Sequence, residues 1–453
     1  MKLSFEEVVS SINGKVILDN SNKAFNKLSI DTRKIENGDI YLAIKGENFN
    51  GNDYVEAAFE KGASIAIVSE VTKPLNEMKS RGVVILVDDT RIALGDLARY
   101  YRKKLGIKVV GITGSVGKTS TKDVVAAFLS GKYNVFKTKG NFNNDIGLPL
   151  MILEMTEEIE VAVLEMGMSD LKEIEYLADI ARPDIGIITN IGVSHIENLK
   201  TRDNILKAKL EIATYFDKNS TLILNYEDDK LKNVTNNSFE LIKVGYNQEY
   251  DVSATNIILE ERETSFTAHS DEGSRDFTIK MPGKHNVLNA LLSIATSLKL
   301  GLTFDEMNEG LSNFAATSMR LQISEANGYK IINDCYNASP SSMIAAIDVL
   351  ANYKKERKIA ILGTMRELGD EAYNSHKEVG THASNNCDIL IAIGEYAEAY
   401  KDGYSGKEII CYKSKEEALK SLRKIVKSND AILVKASRGA KFEEIVDILE
   451  KQK

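Results

Sequence analysis

With 453 residues, 43% hydrophobic and 27% charged, the chain is long enough for two or three domains that each bury a core. A formal net charge of -8 argues against a general nucleic-acid or membrane-surface binder, and no apolar run approaches bilayer-spanning length. Cys335, Cys387 and Cys411 are odd in number and far apart, and the first residues lack a signal-peptide profile, so a reduced, cytoplasmic protein without disulfides or a zinc site is expected.

Taken in order, the chain starts as a small α/β unit. Strands are expected at 39–44, 64–68 and 83–87, with a helix at 54–61. Ser29-Ile-Asp-Thr-Arg33 and Lys45-Gly-Glu-Asn-Phe-Asn-Gly51 are polar loops at strand edges. Ligand contacts often sit in such loops, and plain surface turns do too. The pattern restarts near Asp88, which sets the first unit at 1–88.

A charged helix from Thr90 then leads into Lys108-Val-Val-Gly-Ile-Thr-Gly-Ser-Val-Gly-Lys-Thr-Ser120. The apolar run 107–112 reads as a buried strand, Gly111, Gly114 and Gly117 as a turn, and 119–129 as a helix. Strand, glycine loop, Lys-Thr and helix together make a phosphate cradle of bare N–H groups at a helix N-terminus. Lys118 would reach the terminal phosphates and the Thr119 hydroxyl a magnesium ion. Ile112 occupies the place of the first glycine in G-x-x-x-x-G-K-[ST], so the loop is a variant of that form.

Short apolar strands at 160–165, 184–189 and 221–224 alternate with helices at 171–180 and 202–216, implying a parallel sheet covered on both faces. Period-two alternation over 252–280 suggests an antiparallel insertion, and 286–300 returns to a helix, closing a central unit at 89–314. Beyond it, strands at 330–333, 359–362, 389–393 and 431–434 alternate with helices at 341–350, 372–383, 416–426 and 442–451. This third unit, 315–453, is Rossmann-like without a G-x-G-x-x-G fingerprint, so nicotinamide binding is not expected.

Glu165 ends one central strand and His195 follows the next, so both would emerge beside the phosphate loop. The lysine pair Lys207 and Lys209 lies on the following helix, where a solvated face is the default reading. Asn141-Phe-Asn-Asn-Asp145 suits either fixing a loop or hydrogen-bonding a polar ligand. Gly283-Lys-His-Asn-Val-Leu-Asn289 starts a helix with two amides and a histidine.

These blocks in this order resemble the Mur ligase family, ATP-dependent amide ligases of bacterial cell-wall synthesis, across the whole chain. The matching segments are Thr113-Gly-Ser-Val-Gly-Lys-Thr-Ser120, Asn141 to Pro149, Glu165-Met-Gly, Asn190 to His195, Gly283 to Asn289, Asn333-Asp-Cys-Tyr-Asn-Ala-Ser-Pro340, Gly363-Thr-Met-Arg-Glu-Leu-Gly369 and Val434-Lys-Ala-Ser-Arg438. The resemblance implies an N-terminal unit that binds a UDP-sugar, a central ATP-binding unit and a C-terminal Rossmann-like unit. It implies that Gly114, Ser115, Gly117, Lys118, Thr119 and Ser120 hold ATP, with Asn286 at adenine, Arg320 at the γ-phosphate, and Asp334 and Tyr336 touching the nucleotide. Thr119, Glu165, His195 and a carbamylated Lys209 would surround Mg2+, and Asp31, Thr32, Arg33, Asn143 and Asn144 would meet substrate.

The implied substrates are UDP-MurNAc-tripeptide and D-Ala-D-Ala, joined through an acyl phosphate by a monomer with no nucleic-acid or membrane partner. Two alternatives stay open: a related ligase adding another amino acid or dipeptide, and a nucleotide-binding regulator that has lost ligation. The C-terminal residues Arg320 and Asp334 are expected to complete the nucleotide site only when the units close.

Overall fold

Runs of apolar, often β-branched residues become the strands of three separate sheets in the computed structural model, which describes residues 1–19, 23–74, 82–354 and 356–451. In the first unit β1 (Lys15–Leu18), β2 (Leu28–Ser29), β3 (Ile40–Leu42), β4 (Ile65–Val68) and β5 (Val83–Leu86) lie in the order β1-β5-β4-β3-β2. Only the β1–β5 pair is antiparallel.

The central sheet contains β6 (Lys108–Thr113), β7 (Val135–Lys137), β8 (Val161–Glu165), β9 (Ile185–Ile188), β10 (Thr221–Asn225), β11 (Glu240–Gly245), β12 (Val252–Leu259), β13 (Thr264–Ser270) and β14 (Gly273–Ile279). Their order is β14-β13-β12-β11-β10-β9-β6-β8-β7, parallel up to β12 and antiparallel through β14. The expected antiparallel segment is therefore a meander extending one edge of the sheet.

The third sheet is formed by β15 (Gln322–Ala326), β16 (Tyr329–Asn333), β17 (Arg357–Leu362), β18 (Ile389–Ile393), β19 (Glu408–Tyr412) and β20 (Asp430–Lys435). It runs β15-β16-β20-β17-β18-β19, with an antiparallel β15–β16 hairpin at one edge and parallel pairs elsewhere.

Two cores flank the central sheet. On one face Leu97, Tyr101, Ile152 and Leu177 pack in one continuous cluster with Phe5, Ile40 and Ile65 of the first unit. On the other, helices Lys118–Leu129 and Lys284–Lys299 lie together, and Phe128 meets Phe277 of the meander with ring centroids 5.6 Å apart. Each fully buried side chain of this size contributes about 1.5–3 kcal/mol by leaving water. The tip of the meander also reaches the third unit: Lys330 Nζ donates to Glu261 at 2.7 Å, Tyr353 Oη donates to the Glu261 carbonyl at 3.3 Å, and Arg262 pairs with Glu325.

Local chemistry shifted several expected boundaries. Gly111 lies inside β6 rather than in the turn after it. The helix expected over 202–216 ends at Leu210 and becomes one tight turn, Glu211–Ala213. There the Glu211 carboxylate accepts the backbone N–H of Lys172 at 2.9 Å and of Glu175 at 3.3 Å. It thereby serves the N-terminus of the neighbouring helix Glu173–Ala181.

The third unit holds a buried histidine with both ring nitrogens committed. His376 Nδ1 lies 2.6 Å from the Ala372 carbonyl and Nε2 accepts the Met365 N–H at 2.9 Å, which fixes a neutral tautomer. Burial pushes its pKa down to about 4, and burial pushes His285 down to about 4 as well. Between pH 6.5 and 4 the unfolded chain takes up protons that these folded sites refuse, so stability falls as pH falls, by up to about 1.4 kcal/mol per unit per histidine. Denaturant midpoints should be flat from pH 7 to 8 and drop by pH 5. A His376→Gln variant should show a shallower drop, and an unchanged slope would refute the assignment.

Candidate active site

Sheet order places the chemistry. The phosphate-loop strand β6 lies between β8 and β9, so the residues ending those strands flank the loop on either side. Gly114 has φ +148°, and a Cβ there would sit 1.8 Å from Thr189 Oγ1, so no other residue fits. Gly117, at φ +88°, opens the helix Lys118–Leu129 without a side-chain cap, leaving its first N–H groups free to face an anion. The segment after β9 clamps the loop. Asn190 Oδ1 accepts the Val116 N–H at 2.9 Å, Thr189 Oγ1 donates to the Val116 carbonyl at 2.5 Å, and the Gly192 N–H donates to Ser115 Oγ at 2.9 Å.

Lys118 Nζ donates to the Gly114 carbonyl at 2.7 Å. Desolvation lowers its pKa, Glu165 opposes that shift, and the Arg320 charge adds to it. Beside it, Thr119 Oγ1 donates to Glu165 Oε2 at 3.0 Å, and Asn143 Nδ2 donates to Glu165 Oε1 at 2.9 Å. Arg320, from the segment leading into the third unit, donates from Nη2 to Thr119 Oγ1 at 3.2 Å. Its guanidinium stacks 4.2 Å from the Tyr336 ring centroid. The buried Arg320 Nε has no hydrogen-bond partner among the described residues. An unpaired donor on a cation at a phosphate loop suits an anionic ligand.

Two cavities meet at this point, sharing Val116, Gly117, Arg320 and Ser342. One, of about 360 Å³, is walled by Ser120, His285, Asn286, Asn289, Asp334 and Lys435. Asn286 is held there by donating to the Pro282 carbonyl at 2.8 Å and accepting from Asn289 at 2.9 Å. Asp334, just beyond β16, pairs with Lys435 at the end of β20. The other cavity, of about 680 Å³, is the wider cleft with Lys118, Asn143, Asn144, Glu165, His195 and Tyr336 on its walls. Across it His195 Nδ1 meets Glu367 Oε2 at 2.7 Å, and this contact, before all else, lowers the Glu367 pKa.

The expected residues thus separate into groups. Ser115, Gly117, Lys118, Thr119, Ser120, Glu165, Asn286, Arg320, Asp334 and Tyr336 converge on the two joined cavities, while Gly114 lines neither and meets Lys118 through its carbonyl. Arg320 already touches Thr119, and Asp334 lines the same cavity as Ser120 and Asn286, so both reach the loop side of the central unit in this structure. Asn143 reaches Glu165, whereas Asn144 Oδ1 accepts the Gly147 N–H at 2.8 Å and so also caps a helix. Asp31, Thr32 and Arg33 form a tight turn closed by an Asp31–Arg33 pair, apart from the walls of both cavities.

The default reading of the lysine pair holds for exposed Lys207 and fails for Lys209, which is 2% exposed. Desolvation, then the nearby Lys118 charge, lowers the Lys209 pKa well below its usual value. Among the described residues no three His, Cys, Asp or Glu side chains converge as a metal cluster. Thr119 and Glu165 are nevertheless adjacent hard-oxygen donors at the phosphate loop. That sparse set fits Mg2+, which is commonly held by one or two carboxylates together with substrate phosphates.

Sequence reasoning left Glu367, Asn190 and Asp123 without roles. Glu367 lay inside the quoted Gly363–Gly369 segment, and Asn190 opened the quoted block ending at His195. Asp123 closes the polar first half of its helix, Lys118 to Asp123, ahead of an apolar second half, and nothing local marks it as buried.

The chain belongs to the Mur ligase family. Residues 25–102 match the model described as Mur ligase family, catalytic domain; 112–297 match Mur ligase middle domain; and 319–438 match Mur ligase, glutamate ligase domain. UDP-N-acetylmuramoyl-tripeptide–D-alanyl-D-alanine ligase of Bacillus subtilis is 40% identical over 433 residues, covering 93% of each chain. The Escherichia coli protein of the same name is 33% identical, covering 99% of each. Among solved structures, MurF from Acinetobacter baumannii superposes with a TM-score of 0.91 at 30% identity, covering 99% of each chain. MurF from Thermotoga maritima, in complex with ADP, gives 0.83 at 29% identity, covering 94% of this chain and 97% of that one. The three-domain Mur ligase fold expected from the sequence is the fold observed.

Proposed function

We propose that the chain ligates D-Ala-D-Ala to UDP-MurNAc-tripeptide with ATP, making UDP-MurNAc-pentapeptide for peptidoglycan. Residues 1–88 bind the UDP-sugar with Asp31, Thr32 and Arg33, residues 89–314 bind ATP, and 315–453 close over the reacting groups. The protein acts as a cytoplasmic monomer; among the described residues no helix is long and apolar enough to cross a membrane. The observation that carries the reading is the contact of Arg320 with Thr119 beside Glu165, which joins two units at one phosphate loop. A protein that only bound nucleotide would have no need of it. The names and full-length coverage of the relatives support the substrates.

In the proposed reaction the peptide carboxylate attacks the γ-phosphorus of ATP, the bond to the β-phosphate oxygen breaks, and ADP leaves an acyl phosphate. The dipeptide amine then adds to the acyl carbon, loses a proton and expels phosphate. Lys118 and Arg320 neutralise charge on the transferring phosphoryl, the effect expected to dominate such catalysis. Asn286 and Asn289 hold the base side of the nucleotide, and Asp334 with Tyr336 completes its wall. Asn143 orients Glu165, and both amides of the Asn143-Asn144 pair face the substrate cleft. Mg2+, held by Thr119 and Glu165 with His195 and the carbamate of Lys209 around it, supplies further charge neutralisation when bound. Closure of the third unit keeps water from the acyl phosphate.

The test is phosphate release with ATP, UDP-MurNAc-tripeptide and a panel of amines. Release that requires D-Ala-D-Ala is the expected result. Equal release with single amino acids would move the assignment to another amide ligase, and ATP binding without substrate-dependent release would end it.

A further inference from the structure

The phosphate-loop helix Lys118–Leu129 carries two charged residues that the proposed reaction does not use, Lys122 and Asp123, each 2% exposed. Such burial is costly unless every lone pair is engaged, and at Asp123 both oxygens are. Oδ1 accepts from Lys137 Nζ at 2.8 Å and lies 3.5 Å from Lys122 Nζ. Oδ2 accepts both the backbone N–H of Thr317 at 3.0 Å and its hydroxyl at 2.6 Å. Lys122 also donates to the Thr138 carbonyl at 3.0 Å, and the Thr138 hydroxyl accepts the Glu165 N–H at 3.0 Å.

Thr317 belongs to the segment that joins the central and third units and ends in Arg320. On the helix, Thr119 and Asp123 are four residues apart and share a face, roughly 6 Å from each other along the axis. On the segment, Thr317 contacts Asp123 and Arg320 contacts Thr119, three residues apart and in the opposite direction. The segment therefore runs antiparallel along the first turns of the helix, in a register set by these two contacts.

Its backbone is strained on both sides of Arg320. Met319 has φ +59° and Leu321 φ +46°, left-handed conformations that side chains of this kind keep only when neighbours hold them. On the side of the third unit, Asp334 Oδ1 accepts the Leu321 N–H and Gln322 Oε1 the Met319 N–H, each at 3.2 Å. On the side of the central unit the hold is Asp123.

We propose that Asp123 is a positioning residue: by gripping Thr317 it sets the register of this strained segment and so holds Arg320 against Thr119 at the phosphate loop. The kinetic consequence rests on the ligase reading above, and the grip itself does not. A misplacement of about 1 Å in a group that stabilises developing charge costs roughly a hundredfold in rate. The effect should fall on kcat, because Arg320 acts on charge that grows during phosphoryl transfer.

Because Asp123→Asn would leave two lysines facing a neutral amide and risks misfolding, the primary variant is Thr317→Val, with Thr317→Ser as the conservative control. Thr317→Val should lower kcat roughly tenfold to a hundredfold while the Kd for a non-hydrolysable ATP analogue changes less than about threefold. Thr317→Ser should restore the parent rate. In an Arg320→Met background Thr317→Val should have no further effect. A Thr317→Val enzyme with the parent kcat, or one whose loss is undiminished when Arg320 is already replaced, would overturn the proposal. Native-state hydrogen exchange tests the grip without turnover. The Thr317 amide should be protected in the parent chain along with the amides of the 118–129 helix. A rapidly exchanging Thr317 amide in the parent chain would refute the grip outright. A parent chain that consumes no ATP would count against the reaction alone, with the exchange result still deciding the grip.

Discussion

A Lys118→Ala chain is expected to fold normally and to release phosphate at least about a thousandfold more slowly than the parent. The fold should survive because Lys118 sits at the first turn of its helix, half-buried, with its ammonium on the Gly114 carbonyl rather than in an apolar core. The rate should not survive, because the loop supplies neutral N–H dipoles and Lys118 is its one full positive charge. Desolvation lowers its pKa, and Glu165 is the first of the groups opposing that shift. A bound triphosphate would add negative charge on the same side. Lys118→Arg should recover little, since a planar fork longer than the lysine does not fit beneath a loop already pinned by Thr189 and Asn190. The measurement is single-turnover phosphate release beside far-UV circular dichroism. A folded Lys118→Ala protein turning over within about tenfold of the parent would remove the ATP-site assignment.

The second large effect concerns Lys209. A fully cationic ammonium here would be 2% exposed, would have no hydrogen bond or ion pair among the described residues, and would feel the Lys118 charge. The resulting depression of its pKa favours the neutral amine, the form that adds CO2. Nitrogen bonds to the carbon of CO2 and loses one proton, leaving an anionic carbamate. The change replaces a cation that repels Lys118 with an anion that attracts it. On this proposal Lys209→Ala loses activity by about a thousandfold or more. Millimolar acetate should restore part of the loss by occupying the vacated volume with a carboxylate. Lys209→Arg should stay inactive in acetate, because a guanidinium does not form the carbamate and fills the space. Dependence of the parent rate on dissolved CO2 is the third expected result. An active Lys209→Arg enzyme, or acetate that rescues nothing while the alanine variant is folded, would refute the carbamate.

The contrast between these two lysines and Asp123 shows what the sequence displays and what it hides. Lys118 stands in a contiguous block whose glycines, spacing and flanking strand all express one local geometry. Lys209 was legible only through resemblance, since nothing in Lys207-Ala-Lys209 says which lysine faces inward; the helix rotation that buries one and exposes the other is set by its packing partners. Asp123 meets Thr317 across 194 residues, and no local pattern encodes that meeting.

The fold divides the same way. Strands buried on both faces, such as β8, β9 and β18, are continuous apolar runs and could be read directly. The short edge strands β2 and β7, of 2 and 3 residues, are half-buried and lack any period long enough to read. Helix Gly147–Leu153 begins with glycine and carries Pro149 near its start, and the amide cluster before it marks where it begins: Asn144 Oδ1 accepts the Gly147 N–H. The turn at Asp31–Arg33 matched its expected shape, and its place apart from the central cavities follows from the first unit's own sheet.

The contact between the meander tip and the third unit has a mechanical meaning. The central unit touches the third at the grip on Thr317, where the chain crosses over, and again at Glu261, where Lys330 and Tyr353 dock. Two bodies pinned at two points keep a single freedom, rotation about the line through the pins. Once His195 and the Glu197 N–H let go of Glu367, Val193 and Ile196 leave the third unit's core, and Thr119 lets go of Arg320, the third unit can swing on that axle like a door, and sliding or twisting would tear out a pin. The groups far from the axle then travel the longest arc, and those near it hardly move. Opening should therefore widen the side of the cleft around His195 and Glu367 far more than the chamber lined by Asn286, letting bulky peptides come and go while the base side of the nucleotide stays housed.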